Sequence, residues 1–379
     1  MNNKEIIRRI ETSLIEFSLG HVILPDSPEK YSLSDRMSKY NIPGLSLAVI
    51  NDYEIDWAKC YGVLKNGTEN RVEPNSIFQA CSISKMVTTP LILHLVDKGT
   101  FDLDTDVNTY LQSWKIPESE FSKNRKVTLR GLLTHQSGVS RPTGGYNWEK
   151  GTTPTLVQIL NGEYPAVMKP TIVEFEPFSK WQYSNMGFAI IQLLLEEYYG
   201  KPYHQISQEM LLAPLGMKDS TFKYPLSDEW AKREISLHDR DGNPTYPGII
   251  PTAEAHGGLM TTPTDLAKFG IALMRAYQGD SAGILTPSLA KDMMEQKTWI
   301  DDISEMGLPF GMGFGCFMVG EGESKIVFHH GGNDPGASSL LIFMPERGFG
   351  AAFLANGLLG VDLSLEILAA IAHEYGWEE

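Results

Sequence analysis

A chain of 379 residues, 42% hydrophobic and 21% charged, carries enough apolar material to bury a large core without disulfides or metals. Its formal net charge of -15 works against nucleic acid or anionic membrane surfaces as partners, because phosphate binding needs clustered Lys and Arg. The three cysteines, Cys60, Cys81 and Cys316, are an odd number without metal-ligand spacing, so neither a disulfide framework nor a zinc site is expected.

In chain order, Ile6, Ile7, Ile10, Leu14 and Phe17 recur at helical spacing, but charges interrupt them where an export signal needs an apolar run. An amphipathic helix and cytoplasmic residence are expected. No run reaches the roughly 18 apolar residues of a membrane span. Residues 44–50 (GLSLAVI) and 53–61 (YEIDWAKCY) predict paired strands turning at Asn51-Asp52. From 82 to about 217 the pattern is mostly helical: 86–98 ends at Gly99, Thr128 opens a helix, and 187–199 carries a long apolar face. Strand-like runs return at 314–319, 325–329, 338–343 and 348–354, before a closing helix over 362–375.

The expected fold is therefore α/β (α+β): one sheet built from both ends of the chain and flanked by terminal helices. Residues 1–81 and 250–379 form the sheet lobe, 82–249 an inserted, mostly helical lobe, and a cleft lies between them.

A serine hydroxyl needs a base within reach, and one helical turn brings Ser and Lys side chains together. Ser82 and Lys85 have that spacing, but so do Ser27 and Lys30, Ser220 and Lys223, and Ser288 and Lys291. Ser27 precedes Pro28 in a polar stretch, and Ser288 follows Thr286-Pro287, an ordinary helix start. Ser82 instead opens a helix after an apolar stretch, where free N–H groups favour an oxyanion. The bland reading of Ser82 is a helix cap.

Tyr183-Ser184-Asn185 is the only Y-x-N in the chain; Tyr relays a proton and Asn orients a carbonyl. Its bland reading is a buried Tyr beside a capping Asn. His330-Gly331-Gly332, followed by Asn333, offers glycines that let a substrate lie against a strand edge.

The ordered set S-x-x-K, Y-x-N and H-x-G resembles the serine β-lactamase and penicillin-binding superfamily, and most of all its class C β-lactamase-like branch. That branch includes D-alanyl-D-alanine carboxypeptidases, D-amino-acid aminopeptidases and family VIII esterases. Segments 101–107 (FDLDTDV), 132–138 (LLTHQSG), 214–217 (PLGM), 257–269 and 345–357 are also similar to family patterns. The likeness spans about 44–357 and places Ser220 in a structural connection.

The resemblance implies a β-lactamase-like fold in which Ser82 is the nucleophile and Lys85 and Tyr183 move protons. Asn185, His330, Gly332 and Asn333 would bind substrate, with the Ser82 and Asn333 amides as oxyanion hole. It implies no cofactor, and a small ester, amide or β-lactam as substrate. Members that handle β-lactams well usually carry Lys-Thr-Gly where this chain has His330, and a neutral imidazole is a weak carboxylate anchor. Esterase-like activity on small esters or amides is expected ahead of β-lactamase, carboxypeptidase or D-aminopeptidase activity. The cleft loops, 141–151 and 239–251, would set preference.

Competing readings are a metal site from His329, His330, His256, His238, Asp239 and Asp241, and a non-catalytic ligand-binding homologue. Adjacent strand histidines face opposite sides, and 239–243 reads as a hairpin turn. No G-x-S-x-G turn supports a Ser-His-Asp hydrolase, His135 reads as structural, and Cys81 shows no His partner in the sequence.

Overall fold

A computed structural model describes residues 3–16, 29–141, 146–147, 153–245, 249–250, 253–301, 309–320 and 326–377. Helix α1 (Asn3–Thr12) buries Ile6 and Ile10, as their spacing requires; Phe17, like Ser27 and Lys325, lies outside the described residues. Helix α2 (Leu33–Lys39) is capped by Ser32, whose hydroxyl accepts from the Asp35 amide. Strands β1 (Gly44–Asn51) and β2 (Glu54–Gly62) form the expected hairpin. Its turn lies one residue later than expected: Asn51 pairs with Glu54, and Asp52 and Tyr53 take φ of 52° and 59°. Two left-handed residues match the strand twist, and the Tyr53 hydroxyl is fixed on the Pro345 carbonyl at 2.8 Å.

Strand β3 (Phe78–Gln79) leads into α3 (Ile83–Asp97), a helix buried on all sides over its first three turns. It starts at Ile83 rather than at 86. Helix α4 (Leu129–Leu133) is capped by Thr128 as expected, and α5 (Asn185–Tyr199) starts two residues before 187 under a Ser184 cap. Helix α6 (Glu254–Gly257), strand β4 (Met260–Thr261), which pairs with β3, and helix α7 (Pro263–Gln278) complete the middle of the chain.

The other strands of the main sheet are β5 (Thr298–Ile300), β6 (Phe310–Met312), β7 (Phe317–Val319), β8 (Val327–Asp334), β9 (Ala337–Met344) and β10 (Phe349–Ala355), before α8 (Gly360–Tyr375). The run 314–319 is strand only from 317, because Gly315 at φ +63° turns the chain between β6 and β7. Strand β8 extends past His329 through Asp334. The sheet order is β5-β6-β7-β8-β9-β10-β1-β2, antiparallel throughout, so both ends of the chain build one sheet.

Alternation assigns the faces. Leu45, Leu47 and Val49 of β1, with Ala351 and Phe353 of β10, join Ile6, Ile10, Leu363 and Ile367 of the terminal helices in one core. Ala48, Ile50, Ala352 and Leu354 face the other core, with α3, α5 and α7. On the terminal-helix side, buried Arg36 and Glu366 form a forked ion pair, Nε to Oε2 at 2.6 Å, and the Tyr40 hydroxyl donates to Glu366 at 2.7 Å. Among the described residues no helix is long and apolar enough to cross a membrane.

Candidate active site

The backbone enters α3 through a strained residue. Buried Cys81 holds φ at +48°, which costs a non-glycine residue about 1–3 kcal/mol. Ser82 follows at the N-cap position with φ -68° and ψ -10°, and its side chain makes no capping bond. The helix-cap reading fails, because the hydroxyl accepts from Lys85 Nζ instead, at 3.2 Å.

Lys85 is fully buried, and its amine also donates to the His256 carbonyl at 2.7 Å. The Nζ lies 4.9 Å from the Tyr183 ring centroid and 5.9 Å from that of Phe188. Burial pulls its pKa down to about 7, against the opposing pull of Asp334 and Cys81. A free amine is therefore well populated at neutral pH and can accept a proton.

Tyr183 sits one residue before the helix cap. Ser184 Oγ accepts from the Gly187 amide at 3.2 Å and donates to the Ser140 carbonyl at 2.8 Å, so the cap is Ser184 and not Asn185. Burial raises the pKa of the Tyr183 phenol, the Ser82 hydroxyl beside it pulling partly back; the phenol stays protonated. Its Oη and the Asn185 Oδ1 are buried without hydrogen-bond partners.

Strand β8 supplies the third side. Its pairing with β7 stops at His329, while its pairing with β9 continues to Asp334. A Cβ on Gly332 would come within 2.7 Å of both the Ala80 carbonyl and Cys81 Cβ, whereas one on Gly331 would meet nothing closer than 3.7 Å. The sequence reading gave both glycines to substrate. Gly332 lets β8 press against the turn that carries Ser82, where a side chain would clash, whereas a Cβ at Gly331 would make only ordinary contacts.

The buried His330 ring has Nδ1 2.6 Å from the Gly331 carbonyl, so Nδ1 carries the proton and Nε2 keeps a lone pair without a partner. Burial holds its pKa down at about 3, leaving it uncharged.

Around Lys85 and Tyr183, then, lie the unpartnered Tyr183 Oη, Asn185 Oδ1, Trp181 Nε1 and the Nε2 atoms of His135, His256 and His330. Folded interiors leave few buried polar atoms unpaired, and such a concentration fits a pocket shaped for a polar ligand. The sequence reading passed over three neighbours of this pocket. His135 was read as structural, His256 only as a metal ligand, and Asp334 not at all. A histidine within LLTHQSG and an acid directly after Asn333 were the available signals.

The decoys resolve plainly. Ser220 Oγ bonds Thr261 and Asp265 at 2.6 and 2.9 Å, and Ser288 lies in a helix capped by Thr286. The ring nitrogens of His238 are occupied by the Asn356 carbonyl and the Asn66 amide, beside the expected hairpin turn at 239–243. Burial pushes the Cys81 thiol far up, away from a reactive thiolate. The two cleft loops meet as a backbone pair, Tyr146–Asn147 with Ile249–Ile250; residues 142–145, 148–152, 246–248 and 251–252 lie outside the described residues.

A serine at the start of a buried helix, a lysine one turn on, and a tyrosine just ahead of the Ser184 cap of α5 define the serine β-lactamase and penicillin-binding class. The family model "Beta-lactamase" matches residues 32–374. Penicillin-binding protein 4 of Amycolatopsis lactamdurans is 26% identical, over 88% of this chain and 87% of its own length. The D-alanyl-D-alanine-carboxypeptidase/endopeptidase AmpH of Escherichia coli (strain K12) is 26% identical, over 81% and 78%. The structure of D-alanine carboxypeptidase AmpC from Burkholderia cenocepacia superposes with a TM-score of 0.71 at 16% identity, over 97% of this chain and all of that one. The chain belongs to the Beta-lactamase family of serine hydrolases.

Proposed function

We propose that this chain hydrolyses small esters or amides through an acyl-enzyme on Ser82. The observation that carries this reading is the fully buried Lys85 amine, pulled toward neutrality and 3.2 Å from the Ser82 hydroxyl. Ser82 Oγ attacks the carbonyl carbon as its proton passes to Lys85, and the amides of Ser82 and Asn333 receive the oxyanion. Collapse breaks the bond to the leaving group, which takes a proton from the Tyr183 phenol while Lys85 returns one to Tyr183. Water then repeats the sequence on the acyl group, which Asn185 orients.

The substrate preference rests on His330. An uncharged ring with a free lone pair at Nε2 offers nothing to a substrate carboxylate, whereas β-lactams and peptides ending in D-alanine both carry one. A second reading, β-lactamase or D-alanyl-D-alanine carboxypeptidase activity, draws on the named relatives and on the Arg141 guanidinium, 5.8 Å from the Tyr183 ring centroid. Lobes split at 81/82 and 249/250, with the cleft between them, fit either reading.

Short-chain p-nitrophenyl esters should be turned over and nitrocefin scarcely; efficient nitrocefin cleavage with inert esters reverses the ranking. Ser82→Ala should abolish both turnover and covalent labelling by a fluorophosphonate, and normal labelling of that variant would falsify the mechanism.

A further inference from the structure

We propose that His135 is a positioning residue for Tyr183, gripping the peptide groups on both sides of it and supporting its ring. The inference rests on the Ser-Lys-Tyr reading above and extends it to a residue 48 positions earlier in the chain. His135 follows the C-terminal end of α4, is 1% exposed, and has φ +57°. A left-handed turn at a buried histidine marks backbone strain held in place by its surroundings.

The consequence of that turn is geometric. The His135 carbonyl accepts from the Gln182 amide at 2.9 Å, and its ring Nδ1 accepts from the Ser184 amide at 3.2 Å. Tyr183 is thus bracketed by two hydrogen bonds from one residue. The His135 ring centroid also lies 4.3 Å from that of Tyr183, the planes tilted by 39°. Further bonds tie the same two segments together: the Phe178 amide to the Gln136 carbonyl at 2.6 Å, and Ser184 Oγ to the Ser140 carbonyl at 2.8 Å. Those remain if His135 is changed, so its own share can be read separately.

The bonding also fixes the tautomer. A backbone N–H only donates, so Nδ1 accepts and the proton of the neutral ring sits on Nε2. Burial holds the ring neutral, and the nearby Lys85 and Arg141 act in the same direction. A proton on Nδ1 would break the Ser184 bond, so the tautomer and the Tyr183 position are coupled. His330 carries the opposite tautomer, with its proton on Nδ1.

The test uses the full chain and three variants. His135→Asn keeps an acceptor where Nδ1 stands and tolerates positive φ; His135→Ala removes the acceptor; His135→Gln moves it about one bond outward. Positioning predicts that Ala loses roughly 30-fold or more in kcat on a p-nitrophenyl ester with KM within about twofold, a split that marks a step made after binding. Asn should stay within about fivefold of the parent and Gln should fall between. A folded Ala variant with parental kcat, or Asn as impaired as Ala, overturns the proposal. If Ala does not fold, Gln equal to or better than Asn overturns it. Nitrogen NMR of the parent should show His135 Nε2–H and a bare Nδ1 from pH 6 to 9, and a protonated Nδ1 refutes it. That signal is independent of turnover, so a failure of the Ser82 labelling test is told apart from a failure here.

Discussion

The two faces of the sheet treat buried polar groups in opposite ways. On the terminal-helix side, Arg36 and Glu366 are both at most 2% exposed, and each satisfies the other through a forked pair with Tyr40 added. On the α3 side, Lys85 is equally buried but meets only a hydroxyl and a carbonyl, amid polar atoms with no partner. The first arrangement holds a charge in place, and the second drives charge away. Only the second leaves bonding capacity unused, as a site for a polar ligand would.

Substitutions on the two faces should accordingly have opposite signs. Glu366→Ala strands a buried guanidinium whose charged form its partner strongly favours, and should cost about 3–5 kcal/mol. Urea unfolding would measure it, and the surviving folded fraction should keep its turnover per molecule.

Lys85→Met should abolish turnover yet raise stability. The pKa in the folded chain lies near 7, below its ordinary 10.5. Between those values the unfolded chain holds a proton that the folded chain lacks, so stability rises with pH across that window, and the penalty is complete below about 7. Removing the amine should relieve about 2 kcal/mol or more at pH 7. A melting temperature that falls instead would show that the pull of Asp334 outweighs the cost of burial. The gentlest test is the pH profile: kcat/KM for an ester should climb as Lys85 loses its proton, with a midpoint near pH 7. A midpoint above 9 detaches Lys85 from the rate.

Much of this was legible in the sequence because it is written in local signals. The spacing from Ser82 to Lys85, the glycines at 331 and 332 and the alternation along β1 each follow from one segment's chemistry. What stayed hidden depends on segments that meet only in space. Short β5 and β6 are three residues each, too brief for periodicity; β5 pairs with β6, and β6 with β7. His135 reads as one polar residue at a helix end until residues 182–184 fold against it. The role of Gly332 is visible only once Ala80 and Cys81 lie behind it.

The sheet order also bears on how the chain comes off the ribosome. Strand β1 bonds β2 on one edge and β10 on the other, with Ile50 opposite Gly350. Translation at ordinary rates leaves that second edge bare for tens of seconds, on the order of 15 to 60 s. Through that interval GLSLAVI is an apolar ribbon with an open ladder, prone to wrong pairing. Recombinant yield should therefore follow nascent-chain shielding and growth temperature more closely than the resilience of the finished molecule.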